Sequence, residues 1–409
     1  MSQCSGTTTG LSAAEAVEYR SEIENAPAEQ GFYRLRQAHV LVVGDGPALG
    51  AVLRAGIGAG WRRITVLADD VPEYALRDEF QHVLSDSPER MNVHLHDTDL
   101  VVHVTADFGE LIEMCRRCRA ANVSLAQVYL RGPDAWLTPV HPAGGLPVEA
   151  AWRRLAPSAG GGEIGLAAVA LIGAQVALTC FGYLTGASVA ADPVLLRLDG
   201  DTLAITEHRY QWGGPIAEAP PADPVAPDEL LDRLPPFVDP HVGVFTAVEQ
   251  AGVVSWITVA DPHRRWPAHR VLGWADDPET AKVRGVLAAM ATYGALAAGR
   301  GWVWGTDLIT GARRRVWLEQ DGPHAAVGVA AGLCWHDAVA AGLQAHSEAQ
   351  WDPVGPIRRW ADGSTPSDVD ALAKSLAVTT GRTPVAVPLD ADPAARRLLP
   401  FVTQVLLVP

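Results

Sequence analysis

A strand, a glycine turn, a helix and a second strand follow one another without interruption between His39 and Asp70: HVLVVG, then DGPALGAVLRAGIGAG, then WRRITVLADD. Two short apolar strands joined through a helix pair in parallel. A parallel sheet covered by helices follows. DLVVHVT, FGELIEMCRRCRAAN and VSLAQVYL continue the alternation over residues 99–130, so the sheet gains further strands in the same sense. The strands are rich in Val and Leu on both faces, as buried strands are.

The rest of the chain is organised around that sheet. Residues 1–37 are polar and helix-compatible and read as an arm. Residues 38–215 form the parallel-sheet domain, which closes with two short strands in VLLRLDG and LAITEHRY. Eight prolines between Pro215 and Pro240 predict an extended linker over 216–235. Residues 236–409 then change texture. VGVFTAVEQAGVVSWITVA alternates like paired antiparallel strands, two Ala-rich helices are expected at about 278–299 and 336–350, and PVAVPLD and VTQVLLVP read as strands. The fold class is α/β: a Rossmann-type domain followed by an α+β domain. A length of 409 residues agrees with more than one domain.

Charge narrows the partners. The 47 acidic against 32 basic residues give a net charge of −15, which repels phosphate at long range and argues against nucleic acid. The uncharged run Ile164–Ala191 is long enough to span a bilayer. It carries Gln175 and four glycines and lacks flanking Lys or Arg clusters, so it predicts a helix buried between sheets or subunits, not a membrane span. That helix implies a homodimer or heterocomplex. Few, scattered cysteines and a polar start without a signal pattern point to the cytoplasm.

The chemistry-bearing motifs are sparse. Gly44, Gly46 and Gly50 shape a turn at a helix N-terminus, where backbone N–H groups bind phosphate, and Asp69 or Asp70 ends the second strand where a ribose-binding acid belongs. The third glycine falls six residues after the first, and Asp45 adds negative charge beside the turn, so these positions read as a vestigial or weak nucleotide site. Cys115 and Cys118 form a CxxC inside a predicted helix with no second pair, an incidental spacing. The histidines form no HExxH. Trp256, Trp266, Trp274, Trp302, Trp304, Trp317, Trp335, Trp351 and Trp360 crowd the second half; filling of core and interface explains them, with a peptide-binding groove as the sharper reading.

In this order the two halves resemble the cyclodehydratases of azoline-forming peptide pathways, which fuse a ThiF-like, ubiquitin-activating-type domain to a YcaO domain. VLVVGDGPALG, ITVLADD, DLVVHVT and WLTPVHPAGGLPVEAAWRRL carry the ThiF-like resemblance, without the family's zinc cysteines. GWADDPETAKVRGVLAAMATYGA resembles the family's ATP- and magnesium-binding helix at Ala281, Leu287, Ala289 and Tyr293. The two glutamate positions hold Ala288 and Ala291, and the arginine position holds Thr292. GVAAGLCWHDAVAAGLQAHSEAQ resembles the second such helix at Gly328, Ala331, Gly332, Ala338, Gly342, Leu343 and Glu348, with Ala345, Ala349 and Gln350 in other functional places.

A methyl group neither ligates magnesium nor neutralises it, so three of four carboxylates are gone and Glu348 is a remnant. The resemblance therefore implies a degenerate member without cofactor or zinc. Such a chain serves as a non-catalytic scaffold that helps present a precursor peptide to an active YcaO cyclodehydratase or another pathway enzyme, in making a thiopeptide or related azole-containing product. The alternative is an active ATP- and Mg-dependent cyclodehydratase that draws relocated ligands from Glu249, Glu279, Asp276 or Asp277. A dinucleotide-dependent oxidoreductase using Gly44, Gly46 and Asp69 is the remaining class.

Overall fold

The computed structural model describes residues 28–68, 82–86, 91–143, 148–155, 163–187, 193–211, 223–262, 267–319, 327–351, 368–389 and 392–409. The chain forms two compact units. The first comprises Met1–Glu149 with Ser158–His208, and the second Ala150–Pro157 with Arg209–Pro409.

In the first unit, α1 (Ala28–Gln37) leads into β1 (His39–Gly44), α2 (Gly46–Gly58) and β2 (Arg63–Leu67). Then come β3 (His82–Asp86), α3 (Met91–Leu95), β4 (Leu100–Thr105), α4 (Phe108–Ala121), β5 (Ser124–Arg131) and β6 (Asp134–Leu137). These strands, with β7 (Val194–Leu198) and β8 (Ile205–Arg209), make one eight-stranded sheet of order β3-β2-β1-β4-β5-β6-β7-β8. Pairing is parallel from β3 through β5 and turns antiparallel at β5–β6 and β6–β7. Every residue of β4 is buried, as expected of a strand with helices on both faces.

Helix α4 shows how sequence sets element ends. Asp107 accepts the Glu110 backbone N–H at 2.7 Å as N-cap, and Asn122 closes the helix in the left-handed region at φ 55°.

The long apolar helix is Leu166–Thr185, which follows the short Glu149–Arg154 helix in sequence, so the two are α5 and α6 in chain order. By length and composition α6 could cross a membrane, yet 44% of its apolar window is buried inside the protein. Gly173 makes that packing possible, because a Cβ there would lie 2.5 Å from the Ala51 carbonyl oxygen of α2. The helix expected to be buried between sheets or subunits packs one face inside this chain, while Leu166, Leu171 and Leu178 remain exposed, and 188–191 lies outside the described residues.

The second unit takes in α5 (Glu149–Arg154) from Ala150 onward and resumes with α7 (Pro227–Arg233) and a short 3-10 turn, Pro235–Phe237. Its strands build two antiparallel sheets. One contains β9 (Phe245–Ala251), β10 (Val254–Val259) and β11 (His269–Trp274) in the order β11-β10-β9. The other, of order β13-β12-β15-β16-β14, contains β12 (Gly301–Asp307), β13 (Arg313–Leu318), β14 (Val329–Ala331), β15 (Thr383–Pro388) and β16 (Val402–Val408). Helix α8 (Pro278–Ala298) packs against strands of both sheets, and α9 (Trp335–Trp351), α10 (Val369–Thr380) and α11 (Pro393–Leu398) complete the unit.

Two expectations change here. The proline-rich 216–235 stretch is not extended throughout, since Pro227 opens a helix and Leu230, Leu234 and Phe237 enter the core. Proline at a first helical turn loses nothing, because that N–H has no intrahelical partner anyway. The second-half tryptophans do not fill the core either. Trp274, Trp302, Trp304 and Trp317 are exposed, Trp256 and Trp335 are half-buried, and the side chains of Trp266, Trp351 and Trp360 lie outside the described residues. Among the described residues the fully buried tryptophans are Trp61 and Trp152, and Trp136 is nearly so.

Candidate functional site

The order β2-β1-β4 reverses direction of sequence at β1, the point where open parallel sheets bind ligands beyond their carboxyl ends. Gly44 ends β1 there with φ +137°, and a Cβ on it would lie 2.0 Å from the Val104 carbonyl oxygen of β4. Close strand packing thus explains this glycine without a ligand. Gly46 adopts φ +72° and is exposed, while Gly50 is buried one turn into α2. Asp45, the N-cap, makes no capping bond with its side chain, and Pro47 removes one backbone donor from the first turn. An exposed carboxylate at the mouth opposes the phosphate that the helix dipole would favour. Asp69 and Asp70 lie outside the described residues.

Beside this edge sits a buried polar network. His103 of β4, fully buried, places Nδ1 3.3 Å from Gln127 Nε2 and Nε2 3.4 Å from Glu110 Oε1. Thr105 donates its hydroxyl to Glu110 at 2.6 Å. The His103 hydrogen bond, ahead of an opposing effect of burial, holds the Glu110 carboxyl below its ordinary range. Cys115 donates to the Gln127 side-chain carbonyl at 2.9 Å. Burial pushes the Cys115 and Cys118 thiols up to about 12, so neither offers a thiolate at neutral pH. The CxxC is a packing feature of α4, as its spacing within one helix suggested.

The second unit holds the two helices that the resemblance singles out. Ala288 and Ala291 of α8 are 6% and 1% exposed, and Ala291 belongs to the apolar core with Met290, Tyr293 and Leu296. Thr292 turns its hydroxyl back to the Ala288 carbonyl at 2.9 Å. Glu348 on α9 is exposed and accepts from Gln344 at 3.0 Å. The relocated candidates are dispersed in their roles. Glu249 pairs with Arg270 at 2.5 Å on the three-stranded sheet, Asp277 caps α8 through the Thr280 N–H, and Asp276 and Glu279 are exposed. Among the described residues no three His, Cys, Asp or Glu side chains gather where they could hold a metal ion.

One charged cluster escaped sequence reading. Arg154 of α5, 2% exposed, donates to Asp392 at 3.0 Å, to the Gln211 carbonyl at 2.8 Å and to the Val242 carbonyl at 3.0 Å. Tyr293 donates its hydroxyl to the same Asp392 oxygen, and the other Asp392 oxygen caps α11 through the Ala394 N–H at 2.8 Å. Burial opposes the Arg154 charge, but Tyr293 and Asp392 outweigh it and raise its pKa; burial also drives the Tyr293 hydroxyl well up. Tyr293, Asp392, Leu389 and Arg396 line a small, shallow cleft. The cluster ties three sequence-distant segments together, and no spacing rule links positions 154, 293 and 392 in advance.

The architecture is a Rossmann-type sheet followed in sequence by an α+β unit, a fold also seen in solved heterocyclases. Two solved structures show it. A heterocyclase in complex with substrate and cofactor superposes over 92% of this chain and 65% of its own, at 13% identity and a TM-score of 0.54. The heterocyclase TruD does so over 93% and 64%, at 12% identity and a TM-score of 0.50. The chain thus spans just under two thirds of the length of these relatives. No protein-family model matches the chain, and no curated protein matches it in sequence.

Proposed function

We propose that the chain is a non-catalytic partner subunit in the formation of azoline or azole rings on a ribosomal peptide, helping present the precursor to an active YcaO cyclodehydratase. The observation that carries this reading is the burial of Ala288 and Ala291, with Ala291 inside the apolar core of the second unit. A magnesium-bridged triphosphate needs anionic oxygens in a solvated cleft, and these positions supply methyl groups packed against hydrocarbon. Glu348 is exposed beside Gln344 and, among the described residues, has no acidic company with which to share a cation. In this reading the protein uses neither ATP, magnesium nor zinc, works in the cytoplasm, and acts through the fold it shares with heterocyclases. Alanine is also the strongest helix former, so the loss of ligands leaves both helices intact.

Reconstitution tests the proposal. An active cyclodehydratase, its precursor peptide and Mg-ATP are mixed with and without this chain, and ring formation is followed by loss of water in mass spectra. Faster dehydration by the partner, with no phosphate released by the chain alone, is expected. Peptide-dependent phosphate release by the isolated chain, lost in Glu348→Ala, contradicts it.

A further inference from the structure

The hairpin of β12 and β13 turns its large side chains outward. Trp302, Trp304 and Trp317 are 59%, 55% and 49% exposed, while Val316 and Leu318 face the core. Registry places Trp302 opposite Trp317, Trp304 opposite Arg315 and Thr306 opposite Arg313, so all six share the outer face. The tryptophan rings of 302 and 317 meet edge to face at 5.6 Å. The Arg315 guanidinium lies 5.3 Å from the Trp302 ring centroid, and that of Arg313 lies 5.5 Å from the Trp304 centroid. Stacking fixes the two guanidiniums in place with their N–H groups unspent, since among the described residues neither is within ion-pair distance of a carboxylate. β13 is also the edge of its sheet, with one side of its backbone unpaired among the described residues.

We propose that the Arg313–Arg315–Trp317 edge, backed by Trp302 and Trp304, is a docking site for an extended acidic peptide segment that adds to the sheet beside β13. An added strand puts alternate residues on the outer face about 7 Å apart, level with Arg313, Arg315 and Trp317 in turn. Carboxylates opposite the two arginines and an apolar residue opposite Trp317 complement what is there. Charge selects the occupant: stacked Trp and Arg would suit a single nucleic-acid strand equally well, but the chain carries −15 overall, which repels a continuous polyanion more than a short acidic peptide. The inference goes beyond the proposed function, because it stands on the hairpin alone and holds whatever the acidic segment belongs to.

Fluorescence anisotropy on the full chain tests it, with a labelled nine-residue peptide bearing Glu at alternate positions, Thr between them and a terminal Leu. Saturable binding that weakens about tenfold or more in Arg313→Glu/Arg315→Glu, as loss of two charge-assisted contacts predicts, is the expected result. Binding also falls in Trp302→Ser/Trp317→Ser, at raised salt, and when the peptide is N-methylated at every second residue along its pairing edge. Lys374→Glu, a reversal of surface charge elsewhere, leaves it unchanged. Unaltered affinity in the arginine variant, indifference to N-methylation, tighter binding of a labelled single-stranded dodecathymidylate, or a dimer that dissociates in the tryptophan variant would each overturn the proposal. Thermal melts matching the unmodified chain establish that the variants are folded.

Discussion

The glycine turn of the first unit and the alanine-lined helix of the second are both poor hosts for a nucleotide, for opposite reasons. At the turn the backbone is open: Gly46 adopts φ +72°, Asp45 is exposed beside it and Pro47 offers no N–H donor. In α8 there is neither charge nor space at the matching positions, because Ala288 and Ala291 are buried and Ala291 sits in the apolar core. A surface site can be altered by charge alone at little cost to folding. An interior one, once filled with hydrocarbon, is tied to the stability of the core.

That contrast can be broken most sharply by putting a carboxylate back. Ala291→Glu buries a charge with no partner and is expected to lower stability by about 4 kcal/mol or more in denaturant unfolding, without creating Mg-ATP binding. Ala349→Glu, at a half-buried position on α9, shifts it by within about 1 kcal/mol. If Ala291→Glu is tolerated as well as Ala349→Glu, the interior is not packed as described. Next comes Asp392→Ala, which strands the buried Arg154 guanidinium and costs about 3–4 kcal/mol by the same measurement.

A pH scan gives a somewhat smaller effect in the first unit. Burial lowers the His141 pKa to about 4, so the unfolded chain binds the proton more readily between that value and the ordinary 6.5. Stability from this group is complete above pH 6.5 and is lost as pH falls toward 4, by about 3 kcal/mol in all. Replacing His141 by Gln removes that slope from the denaturation profile. The smallest change is expected at the open turn: Asp45→Asn alters stability by within about 0.5 kcal/mol, since the side chain makes no capping bond.

The same difference between surface and interior governs what could be read from sequence. β1, α2, β4, α4 and β5 were legible because buried parallel strands read as unbroken apolar runs and the helices between them carry caps such as Asp107. The two Ala-rich helices emerged close to their expected ends, at Pro278–Ala298 and Trp335–Trp351. The β12–β13 hairpin was opaque, because its alternation is inverted: tryptophans face water and smaller residues face the core, so aromatic content suggested core filling. Helix α7 hid among prolines that usually mark a linker. At the candidate sites, sequence named the positions Gly44, Gly46, Gly50, Ala288, Ala291 and Glu348, but burial and pairing decide what they can do, and those depend on contacts between distant segments. The Arg154–Asp392–Tyr293 cluster depends entirely on such contacts.

Isothermal titration of Mg-ATP into the full-length chain tests the central claim most directly, since it asks for nucleotide affinity without needing a peptide or a partner. The account predicts no saturable heat up to millimolar nucleotide. A one-site isotherm that disappears in Glu348→Gln would contradict it.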